Sequence, residues 1–185
     1  MLHERKLNRL RYYDYSQDNL YFITSCVKDR ICCFGSVVDK KMICNDYGNI
    51  AENQWNWLFQ QYPYILYHAF VIMPNHIHGI IEIRRSSVAG TGGVGTGRDL
   101  SLRDLSLRDL SLRSKIKSLS EIIGAYKTTV SKQIHHVGLT TFQWQRSFHD
   151  HIIRDDDSYQ RIFDYIHDNP AKWENDTFFH KSASS

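Results

Sequence analysis

The stretch MPNHIHGIIEI, residues Met73 to Ile83, decides how the rest of the chain is read. Pro74-Asn75 marks a turn. The run that follows, HIHGIIEI, has the length and β-branched content of a strand. Alternate side chains of a strand share a face, so His76 and His78 project together while Ile77 turns into the core. Two neutral imidazoles side by side can hold one divalent metal and leave coordination positions for substrate oxygens. An HxH string is common by itself, so a purely structural pair remains open at this point.

Working outward, Tyr64–Ile72 reads as a second long strand and Leu20–Val27 (LYFITSCV) as a third, both rich in aromatic and β-branched residues. Ser36–Cys44 reads as a hairpin turning at Asp39-Lys40. Asn45 and Asp46 can cap a helix running to about Gln61, which Pro63 closes. Ser118 with Glu121 fits a capping box, and Leu119, Ile122, Ile123, Tyr126 and Val130 form the apolar stripe of another helix. Phe142–Arg154 (FQWQRSFHDHIIR) contains a further strand. Asp155–Asp157 then supply acidic residues for the start of a last helix, which ends near Asn169-Pro170. The expected fold class is α+β: an antiparallel sheet flanked by helices.

One segment breaks this pattern. From Arg84 to Arg113 the chain carries GTGGVGTG and then RDLSL three times in succession. A period of five matches neither helix nor strand, and three units are too few to bury a β-helical core. The expectation is a single domain over residues 1–185 with a flexible insert at about 84–114. GTGGVGTG lacks the lysine of a phosphate-cradling loop, so no nucleotide site is assigned to it.

The last helix, SYQRIFDYIHDNP, places Tyr159, Ile162, Phe163 and Ile166 at helical spacing on one buried stripe. At about 100° per residue Tyr165 falls off that stripe, free to face a cleft. Asn169 lies one turn beyond it on nearly the same side. One helix face thus offers a phenol and a neutral oxygen donor, although a half-buried structural tyrosine has the same spacing. Tyr126 belongs to the buried stripe of its own helix and ranks below Tyr165. His149 and His151 repeat the HxH spacing and are open to a DNA-contacting or a structural role. His68, His135 and His136 have no partner at ligand spacing.

The bulk properties narrow the classes. No run approaches the roughly 18 apolar residues of a membrane span, and the N-terminus lacks the apolar core of a secretory signal. Cys26, Cys32, Cys33 and Cys44 form no CxxC pair, which fits free thiols in a reducing cytoplasm. Net charge is only +3, but Arg5, Lys6, Arg9 and Arg11 cluster among Tyr12, Tyr13 and Tyr15. Such a mixture suits phosphate contacts and base stacking, and it also suits an ordinary solvated surface.

Taken in order, MPNHIHGI, WQRSFHDHIIR and YIHDNPAKW resemble the REP-associated tyrosine transposases, relatives of the insertion-sequence 200/605 transposases in the HUH superfamily. The resemblance runs from about Tyr21 to Trp173 around the insert. It implies a ferredoxin-like HUH endonuclease fold. It implies that His76 and His78, with Asn169 as third ligand, bind Mg²⁺ or Mn²⁺, and that Tyr165 is the nucleophile. The implied activity is cleavage and rejoining of single-stranded hairpin DNA through a covalent 5′-phosphotyrosine, by a monomer or homodimer that engages no membrane. Arg5, Arg9, Arg11, Lys127, Trp144, Arg146 and Arg154 are candidates for the DNA path, although packing and surface charge explain Trp144, Arg146 and Arg154 equally well. The alternatives are a catalytically silent hairpin-binding relic and another HUH enzyme, a replication initiator or relaxase.

Overall fold

Alternation along NLYFITSC builds strand β1 (Asn19–Cys26), with Tyr21 and Ile23 fully buried on one face and Leu20 and Phe22 packed on the other. The computed structural model describes residues 14, 15, 17–84 and 116–179. Arg5, Arg9, Arg11 and the Gly-rich and RDLSL stretch lie outside those residues. A hairpin follows, β2 (Gly35–Val38) and β3 (Lys41–Cys44). Its turn residues Asp39 and Lys40 have φ of 49° and 62°, the left-handed pair that a two-residue hairpin loop requires. Helix α1 (Asp46–Gln61) starts where Asn45 accepts hydrogen bonds from the backbone of Tyr47 and Gly48. Strands β4 (Ile65–Met73) and β5 (His76–Ile83) flank the Pro74-Asn75 turn. The capping box of Ser118 and Glu121 opens α2 (Leu119–His136). Strand β6 (His149–Ile153) leads into α3 (Asp156–Asp168), which Asp155 caps through the Ser158 amide.

The sheet order is β4-β5-β1-β6, every pairing antiparallel. With the β2–β3 hairpin set aside, the chain runs βαββαβ, and the order is that of a ferredoxin-like α+β sheet. Helices α1 and α2 cover one face. Trp55 of α1 stacks on Phe70 at 4.5 Å and meets Tyr126 of α2 edge-on at 5.4 Å. Ile77, Ile81 and Ile83 are fully buried, each contributing about 1.5–3 kcal/mol. Gly79 lies between them because a Cβ there would fall inside the van der Waals shell of Trp55 Cζ2 and Cη2. Helix α3 covers the opposite face, where Ile162, Phe163 and Ile166 pack on Ala69, Ile80 and Ile153. Among the described residues no helix is long and apolar enough to cross a membrane.

Two local features tie these layers together. The β4–β5 register shifts between Tyr67 and Ala69. The irregularity lets His68 accept from Tyr159 Oη of α3 at 3.2 Å and donate to Glu82 at 3.0 Å. At the end of the sheet remote from His76, Arg84 donates to the Tyr64 carbonyl at 2.7 Å and the Lys117 amide to the Tyr64 hydroxyl at 3.0 Å. One tyrosine therefore holds both sides of the 85–115 segment.

Candidate active site

The imidazoles of His76 and His78 lie 3.0 Å apart at Nε2, and the surrounding hydrogen bonds explain their orientation. The Asn75 amide donates to the carbonyls of Arg30 (3.1 Å) and Phe178 (2.9 Å). Its Oδ1 is left to accept from Nδ1 of His76 at 2.8 Å, so the Nε2 lone pair of His76 is bare. On the neighbouring strand Thr24 Oγ1 meets Nδ1 of His78 at 2.8 Å and can accept its proton, which frees the second Nε2 to converge on the same point. Burial, reinforced by Arg30, pushes the His76 pKa down to about 3. Burial and then the neighbouring His76 push His78 well below its ordinary value. Both rings are neutral at ordinary pH, the form that ligates metal.

Helix α3 and the 3₁₀ turn after it (Pro170–Asn175) supply the other side. Tyr165 Oη is 3.1 Å from Nε2 of His78 and 3.3 Å from Oδ2 of Asp176. Asn169 donates its amide to the same Asp176 oxygen at 2.9 Å. The ligand atoms of His76, His78 and Asp176 all lie within 4.8 Å of one another. Oδ1 of Asn169 is buried without a hydrogen-bond partner, a state that costs about 1–3 kcal/mol unless something satisfies it. Two neutral imidazole nitrogens, a carboxylate and an orphaned amide oxygen form a donor set that fits a divalent cation. Burial, and after it the negative charge of Asp176, raise the Tyr165 pKa to about 12, so the phenol keeps its proton until a cation offsets that charge.

The sequence-derived candidates separate clearly. Tyr165, His76, His78 and Asn169 are brought together. Asp176, which the sequence reading did not name, joins them. It follows an irregular turn, where neither strand nor helix spacing points at a partner, and its only signal is an acidic residue shortly after the last helix. An open cleft was expected, but the imidazoles are 0% and 1% exposed. Phe178 lies 4.7 Å from His76, with Trp173 at 6.0 Å, and Tyr165 lies 5.1 Å from His78. Tyr126 is fully buried and donates to the Ala51 carbonyl. Trp144 is 9% exposed and packs among Phe34, Phe142 and Tyr126. The Lys127 ammonium donates to the carbonyls of Gln145, Arg146 and Ser147. Arg146 is exposed near the histidine end of the sheet. Arg154 follows Ile153, which pairs with Leu20. Leu20 is six residues along β1 from Cys26, the partner of His76, about 20 Å at strand rise. His149 and His151 are exposed on β6 opposite Thr24 and Phe22, with β1 between them and β5, and neither is part of the His76–His78–Asp176 group.

No family model matches the chain. In structure it resembles a REP-associated tyrosine transposase solved bound to a REP hairpin, with a TM-score of 0.53 at 20% identity, over 89% of this chain and 73% of that one. That likeness extends to the fold. In sequence it is 35% identical over 178 residues to an uncharacterized protein of Haemophilus influenzae, covering 96% of this chain and 94% of that protein. The chain belongs to the family of that Haemophilus influenzae protein, and it carries the α+β fold of the tyrosine transposase.

Proposed function

We propose that this chain is a single-tyrosine transposase that nicks and rejoins single-stranded hairpin DNA. The observation that carries the reading is the phenol of Tyr165, 3.1 Å from an imidazole of a His-His-Asp group whose two histidines are buried. A Mg²⁺ or Mn²⁺ ion bound by His76 and His78 with oxygen from Asn169 or Asp176 supplies charge neutralisation at the scissile phosphate.

The chain's own residues do the rest. Tyr165 Oη attacks phosphorus, and the bond to the 3′ oxygen breaks. The strand is left with a 5′-phosphotyrosine and a free 3′-OH. Oδ2 of Asp176, already within hydrogen-bond reach, is placed to hold the phenolic proton and return it to the leaving oxygen. Attack by a 3′-OH reverses the step and releases Tyr165, with the bond energy conserved and no nucleotide consumed. Asn75 and Thr24 fix the imidazoles, and a preorganised geometry lowers the barrier without rearrangement during the reaction.

Incubation with a labelled hairpin oligonucleotide and Mn²⁺, followed by denaturing electrophoresis, tests this. Wild type is expected to give a covalent adduct. Tyr165→Phe should give none while retaining hairpin binding, because the ring keeps its packing. An adduct that persists in Tyr165→Phe and vanishes in Tyr126→Phe or Tyr159→Phe would assign the nucleophile elsewhere. The complete burial of both imidazoles favours a second reading, a hairpin-binding protein without turnover. Binding with no adduct under any metal would support that one.

A further inference from the structure

Beside the histidine end of the sheet lies a groove of about 670 Å³, lined by Lys28, Asp29, Arg30 and residues 143–146. Its floor is held by backbone bonds. The Lys28 amide donates to the Gln143 carbonyl at 2.8 Å, and the Gln145 amide to the Cys26 carbonyl at 2.9 Å. Val27 bridges to Trp144. From beneath, the Lys127 ammonium gathers three carbonyls of the 145–147 segment. The walls carry three cations, Lys28, Arg30 and Arg146, against the single carboxylate of Asp29, with Lys28 Nζ held by Gln143 Oε1 at 3.1 Å and the Arg30 guanidinium by the Thr177 carbonyl at 3.1 Å over the Phe178 ring. Asp29 and Arg30 both have φ of 55°, left-handed backbone that non-glycine residues adopt only where the surroundings enforce it. The groove also connects to the centre. The Arg30 carbonyl accepts from Asn75, and Asn75 accepts from His76.

We infer that this groove binds the phosphodiester backbone of an unpaired DNA strand and leads it to Tyr165. The inference rests on the nicking reading for its direction, but its own argument is a positively lined, rigid groove joined by two hydrogen bonds to the buried histidines. Phosphates engaged by fixed cations displace condensed counterions, so occupancy has a salt signature that simple packing does not produce.

The test is the affinity of wild type and Lys28→Ala/Arg146→Ala for an unpaired oligonucleotide, measured by fluorescence anisotropy across a range of salt concentrations. Each phosphate contact on a single strand contributes about 0.7 to the slope of log K against log salt, so removing two cations should reduce that slope by about 1.4. Lys132→Ala, an exposed cation on α2, should leave it unchanged. Asp29→Asn removes the opposing charge and keeps a side chain tolerant of left-handed φ, so it should tighten binding even if the double variant fails to fold. An unchanged slope in the folded double variant, or no tightening by Asp29→Asn, overturns the groove. If wild type forms no covalent adduct yet the slopes shift as stated, the groove stands and the nicking reading falls. If the adduct forms and the slopes do not move, only the groove falls.

Discussion

At His76 the chemistry is set by a neighbour that carries no charge. Asn75 spends its two N–H groups on the carbonyls of Arg30 and Phe178, and its oxygen is thereby committed to Nδ1 of His76. Removing such an outer partner typically weakens metal affinity or activity about 10–100-fold. Asn75→Ala is therefore expected to bind Mn²⁺ about 10–100-fold more weakly by isothermal titration. His76→Ala with His78→Ala should show no measurable binding. His149→Ala with His151→Ala should bind like wild type, since β1 separates those exposed rings from β5 and neither joins the His76–His78–Asp176 group. Asn169→Ala should fall between, because it removes one neutral oxygen and also the hydrogen bond that orients Asp176. A dead 149/151 variant beside an intact 76/78 variant would move the metal to the other pair. What could be read from sequence at this scale followed from regular spacing. His76 with His78 is a strand period, and Tyr165 with Asn169 is a helical one. Asp176 and the covering rings of Trp173 and Phe178 escaped because they lie beyond Pro170, in a turn without a period.

Helix α3 is aimed as much as it is packed. Tyr159 bonds His68, and His68 bonds Glu82, so the azimuth of the helix that carries Tyr165 is fixed two turns earlier. The strands and helices with local signals were legible: β5 begins and ends as expected, α1 spans the expected residues, and Ser118 caps α2. The strand within Phe142–Arg154 was not delimited, because Trp144 makes only an isolated bridge to Val27 and regular pairing starts at His149. Lys127 shows what holds that intervening loop. Burial lowers its pKa to about 8. The unfolded chain, near the ordinary 10.5, holds more protons between those values, so this residue's contribution makes stability rise with pH from about 8 to about 10.5. Denaturant melts of wild type and Lys127→Met across that window should diverge in favour of wild type as pH rises. Parallel curves would mean that the ammonium is solvated.

Across the whole molecule the two ends of the sheet serve different purposes. One end gathers His76, His78, Tyr165 and Asp176. The other ends at Tyr64, which binds Arg84 on one side of the 85–115 segment and Lys117 on the other. The entropic cost of joining two fixed points through a flexible chain grows only slowly with its length, about 0.6 kcal/mol per doubling. Deleting residues 90–113 should therefore leave the thermal midpoint within a few degrees of wild type and the covalent adduct intact. Loss of the melting transition would mean that the repeat packs on the sheet. Tyr64→Phe removes the hydroxyl from the Lys117 amide and should lower the midpoint more than the deletion does.

The same clamp bears on how the RDLSL tract is inherited. Tandem copies are gained and lost by slippage during replication, here in steps of five codons that preserve the reading frame. With Arg84 and Lys117 both held by Tyr64, each step is expected to leave the sheet register and the distant tyrosine where they are. Copy number at this locus is thus expected to drift between lineages with little selection against it, while Tyr64 itself stays fixed.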